Sequence, residues 1–287
     1  MILAVASGKG GTGKTTVALS LASVAKNRII YVDCDVEEPN AHLFLNPRID
    51  RSDEICIPVP FVDETRCTHC GKCASICRYG AIASLPAMTL VFKELCHGCG
   101  GCTIACPVSA ITEKQHRIGV VESGSSDVLE RVTLVQGRID VGVPLSPPLI
   151  RAAKKAADDE KNVLLDCPPG TSCPMIASVR GADYVALVTE PTPFGLHDLS
   201  LAVATLRELA LPFGVIINRS CERDGIIEAF CDATGTAILG RIPDDRRVAE
   251  AYSRGVIPTA ESPLMRRVCE RVAESAAERA SEKGVRR

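Results

Sequence analysis

Ile2-Leu-Ala-Val-Ala-Ser7 runs straight into Gly8-Lys-Gly-Gly-Thr-Gly-Lys-Thr15, and the reading of these residues decides the fold. A short apolar run enters a loop with glycines at 8, 10, 11 and 13; Val17, Leu21, Val24 and Ala25 then recur at helical spacing. The order is strand, phosphate loop, helix, and Gly8 to Thr15 fits G-x-x-x-x-G-K-[ST]. Glycines there let backbone N–H groups turn inward around phosphate oxygens, where the helix N-terminus adds a favourable dipole. The expected nucleotide-binding segment is Gly8, Lys9, Gly10, Gly11, Thr12, Gly13, Lys14, Thr15 and Thr16. Lys14 is placed to reach the β/γ-phosphates, and the Thr15 hydroxyl to ligate Mg²⁺.

Downstream, apolar runs alternate with helical stretches. Arg28-Ile-Ile-Tyr-Val-Asp-Cys-Asp35 ends in two aspartates, and Glu37-Glu-Pro-Asn40 completes D-x-D-x-x-x-P-N. Asn162-Val-Leu-Leu-Asp166 leads into Cys-Pro-Pro-Gly170. Further strands are expected over Asp183–Thr189, Leu211–Asn218 and Ala237–Ile242, with Ile118–Val121 and Val132–Val135 before them. Pro147 to Asp158 reads as a helix with proline in its first turn, and a last helix is expected from Ser262 to Glu282. In that last helix Leu264, Val268, Val272 and Ala276 form the expected core stripe. Such alternation predicts a doubly wound, mostly parallel α/β sheet. Ligands then sit at the carboxyl ends of the strands, where Asp33, Asp35, Asp166 and Asn218 fall. A strand-end aspartate can also serve only as a helix N-cap.

The loop and its surroundings resemble the MinD/ParA/Mrp/nitrogenase-iron-protein family of P-loop ATPases, because Lys9 stands second in K-G-G-T-G-K-T-T. In that family the lysine reaches across a nucleotide-sandwich dimer to the partner's phosphates, as an arginine finger does elsewhere. The resemblance implies catalytic roles for Lys9, Lys14 and Asp35, the last orienting the attacking water. It implies Mg²⁺ support from Asp33 and Asp166 alongside Thr15. It also implies γ-phosphate sensing by the Gly170 N–H, and adenine contacts from Asn218 and the loop at Pro243. Gln136-Gly-Arg-Ile-Asp-Val-Gly142 is similar to the segment after the inserted ferredoxin domain in MinD-like ATPases that carry one.

Fifteen cysteines are many for 287 residues. Cys67-x-x-Cys70-x-x-Cys73-x-x-x-Cys77 is repeated, offset by 29 residues, as Cys96-x-x-Cys99-x-x-Cys102-x-x-x-Cys106-Pro107. C-x-x-C pairs also bind zinc, but two matching runs of four cysteines are the pattern of a bacterial two-cluster ferredoxin. The fourth cysteine of each run serves the other cluster in that pattern. One [4Fe–4S] cluster is therefore assigned Cys67, Cys70, Cys73 and Cys106, and the other Cys96, Cys99, Cys102 and Cys77. Arg78 stands where the first run would ordinarily carry proline. The expected division is an ATPase domain over 1–57 and 113–287, interrupted by a ferredoxin-like insert over 58–112.

Seven cysteines lie outside the insert, among them Cys34, Cys167 and Cys173 beside the expected switch segments. Buried free cysteines usually act as small hydrophobes, and a metal or redox role is the sharper alternative. His69 and His97 lie inside the cysteine loops, where they could tune potentials through hydrogen bonds.

A net charge of −2 gives no sign of a nucleic-acid binder. No apolar run reaches the ~20 residues of a membrane span, and the tail from Ala280 lacks bulky apolar residues for membrane anchoring. The phosphate loop lies too near Met1 for a signal or transit peptide, so a cytoplasmic location is expected. These readings converge on an ATP- and Mg²⁺-dependent dimer, with itself or a related ATPase, that couples nucleotide state to electron transfer to a partner protein. An ATP-dependent factor for cluster or metal assembly, acting on a client, is the alternative. A positioning role of the MinD/ParA type ranks below both.

Overall fold

The computed structural model describes residues 1–157 and 162–284. The strands in chain order are β1 (Ile2–Ala6), β2 (Ile29–Asp33), β3 (Pro47–Val62), β4 (Ile82–Leu85), β5 (Met88–Val91), β6 (Ile111–Ser126), β7 (Val132–Ile139), β8 (Val163–Asp166), β9 (Tyr184–Thr189), β10 (Phe213–Ser220) and β11 (Ile238–Pro243). The helices are α1 (Lys14–Ser23), α2 (His42–Leu45), α3 (Lys72–Ile76), α4 (Gly101–Ala105), α5 (Pro147–Lys155), α6 (Cys173–Val179), α7 (Pro193–Glu208), α8 (Gly225–Thr234), α9 (Arg246–Ser253) and α10 (Pro263–Gly284). Asp158, the expected end of α5, and tail residues 285–287 lie outside the described residues.

Among the described residues the main sheet has nine strands in the order β11-β10-β9-β1-β8-β2-β7-β6-β3. Pairing is parallel from β11 through β7 and antiparallel for β7–β6 and β6–β3. This is the expected doubly wound α/β fold. Both faces of the sheet are covered, so its central strands are apolar throughout rather than alternating. Ala4 and Ala6 of β1 join one buried layer, with Val32, Leu149, Met175 and Leu199. Leu3 and Val5 join the other, with Val17, Leu21, Tyr31 and Val268.

Sequence reading missed β3. Its first half, Pro47-Arg-Ile-Asp-Arg-Ser-Asp-Glu54, is charged and mostly exposed because it forms the outer edge of the sheet. Charges on an edge strand block pairing with other chains and erase the hydrophobic signature of a strand. β3 and β6 pair from Pro47↔Ser126 to Val62↔Ile111, whereas β6 pairs with β7 only over Gly119–Ser125. The distal half of this ribbon therefore runs on past the sheet and carries the cysteine-rich segment at its tip. Residues 58 and 112 fall inside the ribbon, where Pro58 faces Gln115 and Phe61 faces Thr112.

The last helix also differs in detail. Val268, Val272 and Ala276 are buried as expected, but Leu264 is 36% exposed and Met265, at 1%, takes its place. A strict four-residue spacing drifts off a face that turns every 3.6 residues, so the buried set becomes 265, 268, 269, 272 and 276. Urea denaturation should accordingly separate the two residues. Met265→Ala is expected to destabilise by about 2–5 kcal/mol through the cavity it leaves, and Leu264→Ala by less than about 1 kcal/mol.

Candidate functional site

β1 lies between β8 and β9, and the chain leaves it into the phosphate loop at the carboxyl edge of the sheet. Helix α1 starts at Lys14, capped by Gly13 in a left-handed conformation (φ 85°). A side chain at Gly13 would also strike the Asn218 amide, so backbone and packing both demand glycine there. That amide donates to the Thr12 carbonyl at 2.7 Å, tying the end of β10 to the loop. Gly8 is pressed equally closely against the Asp198 backbone.

A cavity of about 440 Å³ opens beside the loop. Its wall brings together Gly10, Gly11, Gly13, Lys14, Thr15 and Thr16 with Asp35, Asn218 and Pro243. Asp245, in the expected base-contacting loop Ile242-Pro-Asp-Asp245, completes much of the rim with Glu38, Arg219 and Tyr252, which the sequence reading assigned no role. Lys14 is only 7% exposed. Burial raises the Asp35 carboxyl above its ordinary value, and the positive charge of Lys14 opposes that shift.

Behind the cavity, Asp33 and Asp166 stand side by side at the ends of β2 and β8, paired in register and 1% exposed each. Burial, and for Asp33 also the neighbouring Asp166, pushes both carboxyls upward. Their hydrogen bonding differs. Asp33 Oδ1 accepts the Asp35 N–H, and Oδ2 accepts those of Asn40 and Ala41, each at 3.1 Å. Asp166 Oδ2 accepts the Tyr31 hydroxyl at 2.8 Å, while its buried Oδ1 has no donor. The Thr12 hydroxyl is likewise buried without a partner. An orphaned carboxylate oxygen beside a phosphate loop fits an Mg²⁺-bound water, so the residues present suit the metal. Asp33, with both oxygens occupied, organises the 35–41 loop.

Two expected residues are engaged elsewhere. The Gly170 N–H donates to the Ser7 carbonyl at 3.1 Å. Lys9 Nζ lies 3.7 Å from Glu190 Oε2, and Arg219 holds the other oxygen of that carboxylate at 2.7 Å. Glu190, at the end of β9, carried no local motif that could have revealed it.

The cysteine segment keeps its internal repeat in three dimensions. α3 and α4 each follow a left-handed glycine, Gly71 and Gly100, and pack against one another. Cys67, Cys70, Cys73 and Cys106 line one cavity together with His69 and Thr89. Cys77, Cys96, Cys99 and Cys102 line a second, with Tyr79 and His97. Each set of four is the one expected from the sequence. Backbone N–H groups of Ala81, Ala110 and Gly98 point at the sulfurs of Cys77, Cys106 and Cys96 at 3.2–3.4 Å. Four thiols on one cavity with N–H donors to sulfur suit an iron–sulfur cluster. The two surroundings differ: Thr89 Oγ1 and His69 Nδ1 approach Cys67 Sγ at 3.5 and 3.7 Å, whereas Tyr79 and His97 stack at 3.4 Å beside the second cavity.

Cys34 and Cys167 are fully buried, and burial raises both thiols, as expected of cysteines acting as small hydrophobes. Cys173 is exposed at the start of α6. No helix among the described residues is long and apolar enough to cross a membrane.

Comparison with known proteins bears on the family and the fold. The chain is 30% identical over 261 residues to an uncharacterised protein of Methanocaldococcus jannaschii, covering 89% of this chain and 90% of that one. It is 33% identical over 108 residues to an iron–sulfur cluster carrier protein of Aquifex aeolicus, covering 32% of this chain and 30% of that one. The fold is similar to that of the septum site-determining protein MinD of Pyrococcus horikoshii, solved with Mg-ADP. The TM-score is 0.58 at 23% identity, over 96% of this chain and 94% of that one. Residues 3–259 match the CbiA family, the CobQ/CobB/MinD/ParA nucleotide binding domain, and the chain belongs to that family.

Proposed function

We propose that this chain is a dimeric, Mg²⁺-dependent ATPase whose nucleotide state is coupled to electron transfer through two [4Fe–4S] clusters to a redox partner. The observation that carries the redox half is the grouping of eight cysteines into two cavities of four. The coupling draws support from packing. Ala81 and Cys96, beside the second cavity, share a buried cluster with Ile57, Val59, Ile118 and Val36, and Val36 directly follows Asp35. In this reading the redox module is residues 58–112, set into an ATPase formed by 1–57 and 113–287.

Lys14 neutralises charge on the β/γ-phosphates, and Asp35 orients the attacking water. Lys9 exchanges Glu190 for the phosphates of the partner subunit, stabilising transition-state charge in trans. Thr15 and Asp166 hold Mg²⁺, Asp166 through water, and Asp33 supports them by shaping the adjoining loop. Mg²⁺ supplies charge neutralisation at the phosphates. The Gly170 N–H turns from Ser7 to the γ-phosphate, while Asn218 and Pro243 contact the base. Cys67, Cys70, Cys73 and Cys106 hold one cluster, and Cys96, Cys99, Cys102 and Cys77 the other. The clusters supply one-electron chemistry that the side chains lack.

A second reading, an ATP-dependent factor for cluster assembly or delivery, is favoured by the similarity to the Aquifex carrier protein. Cluster lability separates the two. Transfer of iron and sulfide to an apo-ferredoxin supports delivery, and stable reversible redox cycling supports electron transfer.

Protein purified without oxygen should contain about eight irons and eight sulfides per chain. EPR spectra of the reduced protein should differ between ADP and a non-hydrolysable ATP analogue. Full clusters with spectra and potentials indifferent to nucleotide would remove the coupling, and zinc in place of iron would remove the redox function. In steady-state assays Asp35→Asn should lower kcat by at least about 100-fold while leaving nucleotide affinity nearly intact. Lys14→Ala should abolish binding and turnover together. An active Asp35→Asn enzyme would exclude the proposed role of that carboxylate.

A further inference from the structure

Tyr31 sits two residues before Asp33 on β2, and its side chain is completely buried, at 0% exposure. Its ring belongs to the layer of apolar side chains between the sheet and helices α1 and α10. A phenylalanine would fill that space, so packing explains the ring and leaves the hydroxyl to be explained. That hydroxyl donates to Asp166 Oδ2 at 2.8 Å, a bond made wholly inside the protein. The other oxygen, Oδ1, is buried and has no donor. Asp33, the register partner of Asp166, has both oxygens filled by backbone N–H groups. Of the four oxygens in this buried pair, Oδ1 of Asp166 alone has no donor within hydrogen-bond distance, and the Thr15 hydroxyl is the neighbouring group that shares this carboxylate. Three backbone donors hold Asp33; the Tyr31 phenol holds Oδ2 of Asp166, and the Thr15 hydroxyl at the cavity also acts on that carboxylate.

A carboxylate can present either oxygen by rotating about its terminal torsion, and a buried donor on one of them removes that freedom. We propose that Tyr31 is a positioning residue for Mg²⁺: by occupying Oδ2 it fixes Oδ1 of Asp166 as the oxygen offered to the metal's water. The inference rests on the Mg²⁺·nucleotide reading of the phosphate loop. It adds that metal affinity, rather than nucleotide affinity, depends on a phenol in the core beneath the site. If the hydroxyl had only a structural role, its removal would change stability and leave the metal dependence alone.

Binding of a fluorescent ATP analogue, titrated with Mg²⁺ and repeated in EDTA, separates these cases. It requires wild type, Tyr31→Phe, Asp166→Asn and the double variant. Tyr31→Phe should need at least about threefold more Mg²⁺ for half-maximal binding, less than the ~10–100-fold penalty for losing a partner of a direct metal ligand, because Asp166 acts through water. Its binding in EDTA should match wild type, and it should add no further loss in the Asp166→Asn background. A Tyr31→Phe midpoint within about twofold of wild type overturns the proposal. So does an equal weakening with and without Mg²⁺, or a full extra loss on top of Asp166→Asn. If Tyr31→Phe does not fold, 3-fluorotyrosine at position 31 alone keeps the ring and changes the donor strength. A shifted Mg²⁺ midpoint then supports the role, and an unshifted one overturns it. Wild-type protein that bound no nucleotide would instead sink the reading of the phosphate loop, an outcome distinct from a normal Tyr31→Phe.

Discussion

Two carboxylates buried against each other at the ends of adjacent parallel strands form the constraint around which the nucleotide edge is arranged. Asp33 and Asp166 are paired in register and almost inaccessible, so each raises the cost of ionising the other. A fold keeps such a pair only if most of the lone pairs are satisfied. Backbone N–H groups from 35, 40 and 41 satisfy Asp33, and in doing so they fold the segment after β2 back over the strand end. Asp35 is thereby delivered to the cavity wall opposite Lys14. The loop conformation and the position of the candidate catalytic carboxylate are thus consequences of hydrogen bonding to a residue that itself lies behind the cavity.

The cysteine-rich segment meets a different constraint, that of leaving and rejoining a sheet without breaking its core. The chain leaves at the outer edge, where among the described residues β3 is bonded to β6 alone, so the excursion disturbs no central strand. Sixteen-residue strands then do two jobs along their length. The half nearer the sheet is registered against β7, and the far half carries the cavities. An antiparallel ribbon suits this role because its backbone polar groups are paired within the ribbon itself.

What was legible in the sequence was what is local. The glycine spacing of the phosphate loop, the four-cysteine runs and apolar strands ending in aspartate are all written within about a dozen residues, and each reflects a backbone or chelation requirement met on the spot. Even the exchange of the fourth cysteines between cavities followed from the repeat. The unread features are made across long separations or against the usual composition. β3 is an edge strand disguised by its charges. The Tyr31–Asp166 bond joins residues 135 apart in sequence, and the Lys9–Glu190–Arg219 triple draws on three separate strand ends. Leu264 and Met265 exchanged places because a helix face turns by slightly less than four residues.

The two cysteine cavities, alike in ligand pattern, are unequal in what surrounds them. The first has polar neighbours: Thr89 and His69 approach Cys67, and His69 in turn lies 3.7 Å from Glu64. The second is backed by apolar packing that is continuous with the ATPase core through Ile57, Val59 and Ile118. A close-packed interior transmits strain rather than absorbing it, so on the proposed reading the second site is the one coupled through this shared layer to Val36, next to Asp35.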